Sequence, residues 1–208
     1  MHPVPVVYGM TIGEYAKMVN EEGWLHNGVL CDITIIPLEN YTHSSTYELP
    51  VKPSPNLLNM NAISLYPSLC LFEGTIISIG RGTLFPFEVF GHPDMKGFSF
   101  SFIPEKHTGM SLNPPYKDQT CLGVDLRDFY NTHPKMRGRI NLSWLIMAFK
   151  DLGSKGVFFT DYFDQLAGTS LLRKQIIQGL SENDIRKSWE PGLLKFKEIR
   201  KNYLLYPE

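Results

Sequence analysis

The chain opens with an apolar run, Val4–Tyr8, a helix-start signal and a second apolar run, Val29–Ile36, which is rich in β-branched residues. Thr11-Ile12-Gly13-Glu14 has the spacing of a capping box, in which a threonine hydroxyl and a glutamate three residues on satisfy orphan N–H groups reciprocally. Ile12, Tyr15, Ala16 and Val19 then share one helical face, and Gly23 is placed to stop the helix. Strand, helix and strand in this order read as one α/β crossover unit. A single unit cannot cover both faces of a parallel sheet. Residues 1–38 are therefore expected to complete a sheet whose other strands lie elsewhere, most simply in upstream sequence.

Pro37 to Pro55 carries no hydrophobic period and is punctuated by Pro50, Pro53 and Pro55, so residues 39–55 are assigned to a linker. Residues 56–208 read as an α+β domain. Its first half is expected to be irregular β structure, with strands at Leu69–Phe72, Thr75–Ile79, Gly97–Ile103 and Thr120–Leu126. Its second half is helical: Leu142, Leu145, Ile146 and Phe149 form one face ended by Gly153, and Leu171–Ile177 precedes Gly179. Ser181 and Asp184 start a further helix, and Pro191 fits the first turn of a last one.

Composition excludes several classes. Lys+Arg 20 against Asp+Glu 21 gives a net charge of -1 and no basic excess for phosphate neutralisation, so no nucleic-acid partner is expected. A hydrophobic fraction of 43% is too high for a disordered chain. No apolar run approaches the about 18 to 20 residues of a membrane span, and the N-terminus lacks the basic start and apolar core of a signal peptide. Cys31, Cys70 and Cys121 have neither zinc-ligand nor CxxC spacing and are expected to be buried small hydrophobes. The six histidines show no metal-binding spacing, and neither metal nor cofactor is expected.

Chemistry-bearing residues concentrate between Pro53 and Pro93, where glycine and proline specify backbone shape. Gly80-Arg81-Gly82-Thr83 lacks the third glycine of a dinucleotide fingerprint and the lysine of a P-loop, so a tight turn is preferred to a phosphate cradle. Glu73 and Arg81 are placed to form an ion pair on a cleft wall, which keeps Glu73 ionised rather than acidic. Glu88 reads as a satisfied strand residue. At the start of the chain, capping accounts for Glu14, although a cleft position is also open to it.

Six segments occur here in a fixed order: Gly9–Glu14, Pro53–Asn56, Tyr66-Pro67 with Glu73–Thr75, Gly80–Thr83 with Pro86–Glu88, Phe163–Gly168 and Tyr203–Tyr206. Together they resemble the NamZ/YbbC-like family, long catalogued as a domain of unknown function and now including exo-acting β-N-acetylmuramidases. The resemblance covers nearly the whole chain. It implies a Rossmann-like α/β domain followed by an α+β domain, with the active site in the cleft between the two and a catalytic glutamate in a Glu-His-Gly motif of the first. No Glu-His-Gly occurs in these residues. The resemblance therefore implies the last strand–helix–strand unit of the α/β domain and all of the second, with a Rossmann-like domain expected in cis.

It further implies a peptidoglycan-derived saccharide as partner, a periplasmic or exported location, and substrate contacts from Ser54, Asn56, Glu73, Arg81 and Thr83. Arg81 is the residue suited to a lactyl carboxylate. Tyr8, Glu14 and Ile76 are cleft-lining candidates; Tyr8 stands where the family has His, and Ile76 where it has Asn. A non-catalytic saccharide- or partner-binding fragment is the alternative expectation.

Overall fold

The computed structural model describes residues 2–153 and 156–208. In chain order the elements are α1 (Ile12–Glu21), α2 (Met60–Leu69), β1 (Val89–His92), β2 (Phe100–Phe102), β3 (Cys121–Asp125), α3 (Phe129–Thr132), α4 (Ser143–Leu152), α5 (Phe163–Ala167), α6 (Leu171–Ile177) and α7 (Glu182–Arg200). Short 3-10 turns lie at His26–Gly28, Cys70–Gly74 and Pro134–Met136. This is a mixed, α+β arrangement. It forms two compact units, one of Met1–Tyr47 with Arg186–Glu208 and the other of Glu48–Ile185.

In the first unit α1 starts as its sequence dictates. Thr11 Oγ1 accepts from the Glu14 N–H at 3.4 Å, and Glu14 Oε2 accepts from the Thr11 N–H at 2.7 Å. The apolar face of α1 brings Met18 against Phe196 and Tyr203, with Val4, Tyr8, Met10, Trp24 and Ile199 packed around them. The C-terminal segment is tied to the same unit: the Tyr203 hydroxyl donates to Glu22 at 2.7 Å, and the His43 N–H donates to the Pro207 carbonyl at 2.8 Å.

The two strands expected beside this helix are not formed. Neither Val4–Tyr8 nor Val29–Ile36 has a ladder partner among the described residues. Asn20 brackets Cys31, donating to its carbonyl at 3.1 Å and accepting from its N–H at 2.8 Å. Val29, Leu30, Ile33, Ile36 and Leu38 are exposed. β propensity needs a neighbouring strand to become structure, and none is present among the described residues. A second correction concerns α7, which is one helix where the sequence suggested two. Pro191 sits inside it, losing one backbone hydrogen bond without ending the helix.

In the second unit Asn59 caps α2, its Oδ1 accepting from the Ala62 N–H at 2.9 Å. The helix then runs into the Cys70–Gly74 turn. The strand expected at Leu69–Phe72 is thus helical, because a short buried apolar run reads the same in both conformations. Strands β2 and β3 lie within the expected 97–103 and 120–126 stretches. They join β1, which the sequence reading left out, in an antiparallel sheet of order β1-β3-β2. Thr75–Ile79 makes only isolated bridges, Thr75 to Phe159 and Ser78 to Gly91.

Helices α4 and α6 form where the apolar spacing put them; α5 was not anticipated. The core gathers Leu65, Leu69, Phe72, Phe90, Leu142, Leu145 and Phe163, all fully buried, with Phe72 stacked on Phe90 at 4.9 Å. Of the cysteines, Cys121 is buried as expected. Cys70 is half-buried and Cys31 is exposed, since the segment carrying Cys31 packs under nothing described.

Candidate functional site

The second unit carries a cavity of about 210 Å³ lined by Phe72, Glu73, Thr75 to Ile79, Arg81, Pro115 and Tyr116. Local sequence explains why these residues meet. The Cys70–Gly74 turn carries Glu73, and Gly74 follows because nothing larger fits: a Cβ there would lie 2.4 Å from the Phe163 Cα. Thr75 closes the turn, its hydroxyl donating to the Phe72 carbonyl at 2.8 Å and accepting from the Ile77 N–H at 3.1 Å. The chain then runs along the cavity wall to Ile79.

Gly80-Arg81-Gly82-Thr83 is a tight turn, as expected. The Thr83 N–H donates to the Gly80 carbonyl at 3.0 Å, and its hydroxyl donates to the same carbonyl at 2.7 Å. Gly82 has a φ of 83°, and a side chain there would run into Pro114 and the Glu105 carbonyl. The turn is therefore docked on the 104–116 loop and points Arg81 in a fixed direction. Arg81 Nη2 reaches Glu73 Oε2 at 3.3 Å, so the expected ion pair is present. Its guanidinium also lies over the Phe87 ring, 5.0 Å from the centroid. Phe87 itself is buried at a φ of 60°, held there by the Ile79 carbonyl, to which its N–H donates at 2.8 Å. A bulky side chain in that conformation costs on the order of 1–3 kcal/mol, and such strain persists only where surroundings over-determine it.

Tyr116 completes the wall by donating its hydroxyl to the Ile76 carbonyl at 2.5 Å. Replacing Tyr116 with Phe should leave that carbonyl unpaired at a cost of about 1 kcal/mol, read as a lower denaturation midpoint. An unchanged midpoint would show that the bond contributes nothing.

Burial pushes the Cys70 thiol up to about 11, with the nearby Glu73 charge adding to the effect, so it offers no thiolate nucleophile. Burial likewise raises the Tyr66 and Tyr116 phenols. Among the described residues no group of three His, Cys, Asp or Glu side chains is placed to hold a metal ion. No described helix is long and apolar enough to cross a membrane.

The structure thus groups Glu73, Ile76 and Arg81 on one cavity and places Thr83 in the adjoining turn, with its hydroxyl committed to backbone. Ser54 and Asn56 sit together in another turn of this unit. The Ser54 hydroxyl accepts from the Asn56 N–H at 3.2 Å, and the Asn56 side-chain oxygen is buried without a hydrogen-bond partner. Tyr8 and Glu14 belong to the first unit. Tyr8 packs in its core, 5.0 Å from the Tyr15 ring. Glu14 is fully buried, and its Oε1 accepts from the Leu205 N–H at 2.7 Å and lies 3.0 Å from His43 Nε2. Glu88, bound at both oxygens by the Asn59 and Asn61 amides, is a satisfied structural residue.

Sequence reasoning missed Ser78 and Tyr116. Alternation along Thr75–Ile79 could have singled out Ser78 as a polar residue among isoleucines. Nothing local marks Tyr116, which reaches the site only through the fold.

Residues 64–206 match the family model for the exo-β-N-acetylmuramidase NamZ C-terminal domain, and residues 1–61 match that for its N-terminal domain. The chain belongs to the NamZ family. It is 33% identical to the peptidoglycan β-N-acetylmuramidase NamZ of Bacillus subtilis, over 99% of this chain and 52% of that protein. A crystal structure of a DUF1343 family protein from Bacteroides fragilis superposes with a TM-score of 0.91 at 47% identity, covering 97% of this chain and 56% of that one. A second protein of that family from the same organism is 18% identical, with a TM-score of 0.71 over 98% of this chain and 58% of its own, and shows the shared fold alone. The chain therefore spans about half the length of the NamZ relatives it matches. Two NamZ-like segments noted in the sequence, Glu73–Thr75 and Phe163–Gly168, meet at the Gly74–Phe163 approach.

Proposed function

We propose that this chain is the C-terminal part of a peptidoglycan glycoside hydrolase and lines the site that binds a terminal N-acetylmuramic acid. The observation that carries this reading is the Glu73–Arg81 pair beside a small cavity in a NamZ-family chain. The side chains of Arg81 and Glu73 are 32% and 27% exposed, which leaves both accessible to a ligand. A guanidinium has five N–H donors, and only one bond from Arg81, that to Glu73, is formed among the described residues. Those that remain suit the carboxylate of the lactyl ether that distinguishes muramic acid from other hexosamines. Glycoside hydrolysis ordinarily uses two carboxyl groups flanking the bond, and the general acid is assigned to a Rossmann-like α/β domain in cis. The exposed apolar segment Val29–Leu38 and the match of residues 1–61 to the N-terminal family model support that partner domain. Peptidoglycan lies outside the cytoplasmic membrane, so the reading carries a periplasmic or exported location with it.

Calorimetric titration of the chain with N-acetylmuramic acid tests this. Arg81→Ala should weaken binding by about 10- to 100-fold, the value of a charge-assisted hydrogen bond. Equal affinity in the variant would reject the role of Arg81, and absence of binding to the wild-type chain would reject the site. Release of chromophore from an N-acetylmuramic acid glycoside by this chain alone would instead place the general acid within these residues.

A further inference from the structure

Two local rules are broken close to the Glu73–Arg81 pair. Phe87, bulky and only 1% exposed, holds a φ of 60°. Pro67 stands inside α2, where it has no N–H to give the Ile63 carbonyl. Departures of this kind are retained where a site needs a fixed geometry. Both bear on Tyr66, which precedes Pro67 and packs its ring 5.0 Å from that of Phe87. Arg81 lies over the same Phe87 ring, also at 5.0 Å. Phe87 is thus a buried base that carries both Tyr66 and Arg81.

On this base Tyr66 is left open. It is 40% exposed and is held by its ring. Tyr116, Tyr130 and Tyr203 commit their hydroxyls to Ile76, Ser64 and Glu22. No side-chain hydrogen bond ties Tyr66 among the described residues. Glu73, Arg81 and Tyr162 are near enough to act electrostatically on its phenol. Exposed Tyr162 comes from a third segment, tied to the Glu73 turn where the Thr160 N–H donates to the Gly74 carbonyl at 2.9 Å. Three segments therefore bring aromatic faces and an ion pair to one patch.

Size decides what that patch has to hold. The adjoining cavity is about 210 Å³, below the roughly 300 Å³ at which pockets begin to enclose a whole small ligand. A sugar ring cannot enter it and must rest at its mouth. A pyranose with equatorial substituents directs its axial C–H groups to its two faces, so its faces are apolar and its rim is polar. The negative face of an aromatic ring suits those C–H groups. Charged side chains beside it suit the hydroxyl rim.

We propose that Tyr66 is the platform on which the pyranose ring of the bound saccharide stacks, with Arg81 and Glu73 along the polar rim. This rests on the reading that the site binds a muramic acid terminus, and adds to it the residue that holds the ring itself. Tyr66 is a binding residue and has no part in bond cleavage.

The test uses the 208-residue chain, deuterated except at its tyrosine rings, with N-acetylmuramic acid as the probe. Saturating the tyrosine ring protons should attenuate the axial ring hydrogens of the sugar. Tyr66→Phe keeps the stack, so calorimetric affinity should hold within about threefold while the tyrosine-borne attenuation falls by more than about half. Tyr66→Ala should bind about 5- to 10-fold more weakly, the worth of about 40 to 60 Å² of apolar contact. The saturation transfer is read on the wild-type and Tyr66→Phe chains, so it decides the matter even where Tyr66→Ala disturbs Phe87. Binding without attenuation, attenuation undiminished in Tyr66→Phe, or equal affinity in Tyr66→Ala overturns the inference and leaves the role of Arg81 standing. An affinity of Tyr66→Phe as weak as that of Tyr66→Ala also overturns it, by assigning the effect to the hydroxyl. Attenuation together with unweakened binding in Arg81→Ala does the reverse, sparing the platform and rejecting the role of Arg81. Absence of binding to the wild-type chain overturns both.

Discussion

Replacing Gly74 with Ala should destabilise the second unit by about 3 kcal/mol, the upper part of the range for overpacking a close-packed interior. The added Cβ would stand 2.4 Å from the Phe163 Cα and 2.7 Å from its backbone nitrogen. Both obstacles are main chain, so no rotamer change relieves them. The Thr160 N–H donates to the Gly74 carbonyl at 2.9 Å, which ties the two segments together at the point of the clash. A loss of this size lowers the melting temperature by on the order of 10 °C in a chain of this length. Because Glu73 is the preceding residue, saccharide binding should weaken along with stability. Gly192→Ala is the contrasting substitution. It lies inside α7 with nothing within 4 Å of the added Cβ, and should raise stability by up to about 1 kcal/mol. If both substitutions shift the melting temperature equally, the close approach at Gly74 is not what requires glycine there.

The second large effect is expected at Glu14 in the first unit. Its carboxylate accepts from the Thr11 and Leu205 N–H groups and faces His43 Nε2, so it links the start of α1 to the C-terminal segment. Burial opposes its ionisation, but the hydrogen bonds from Leu205 and Thr11, with His43, outweigh burial and hold the carboxyl below its ordinary value of 4.5. Glu14→Gln preserves shape, yet its NH₂ must confront an N–H donor at one of the two oxygen positions. The expected cost is about 2–3 kcal/mol at neutral pH, typical of bonds to a buried charge.

The sign of the pH dependence follows from the lowered value. The charge contributes fully above 4.5 and is lost as pH falls through the folded-state pKa. Denaturant titrations of wild type and Glu14→Gln should therefore lie furthest apart near neutrality and converge in acid. A gap that is constant from pH 7 down to about 3 would rule out the charge as its source.

Much of this architecture is written locally. The Thr11 capping box, the apolar faces of α4 and α6 and the Gly80–Thr83 turn form from residues within a few positions of one another, and all are present as read. Misreadings arise where the outcome depends on distant chain. Leu69–Phe72 is helical because its apolar run continues an Asn59-capped helix. Val29–Ile36 forms no strand because pairing, which no single segment specifies, is absent among the described residues. Pro191 does not end α7, since one lost hydrogen bond is small beside the packing of a nineteen-residue helix.

The candidate site divides in the same way. Residue chemistry and motif order singled out Glu73 and Arg81, because opposite charges near glycine turns carry their own signal. That Ser78 is buried without a partner, that Tyr116 anchors the Ile76 carbonyl, and that Thr83 is consumed by its own turn are facts of three-dimensional packing. By itself the sequence determined where helices begin, which turn would hold Arg81 and which family the motifs resemble, since each depends on short-range geometry or residue identity. Only the tertiary structure decided which polar groups remain unsatisfied and which side chains share a cavity, because burial and hydrogen-bond competition are settled between segments far apart in the chain.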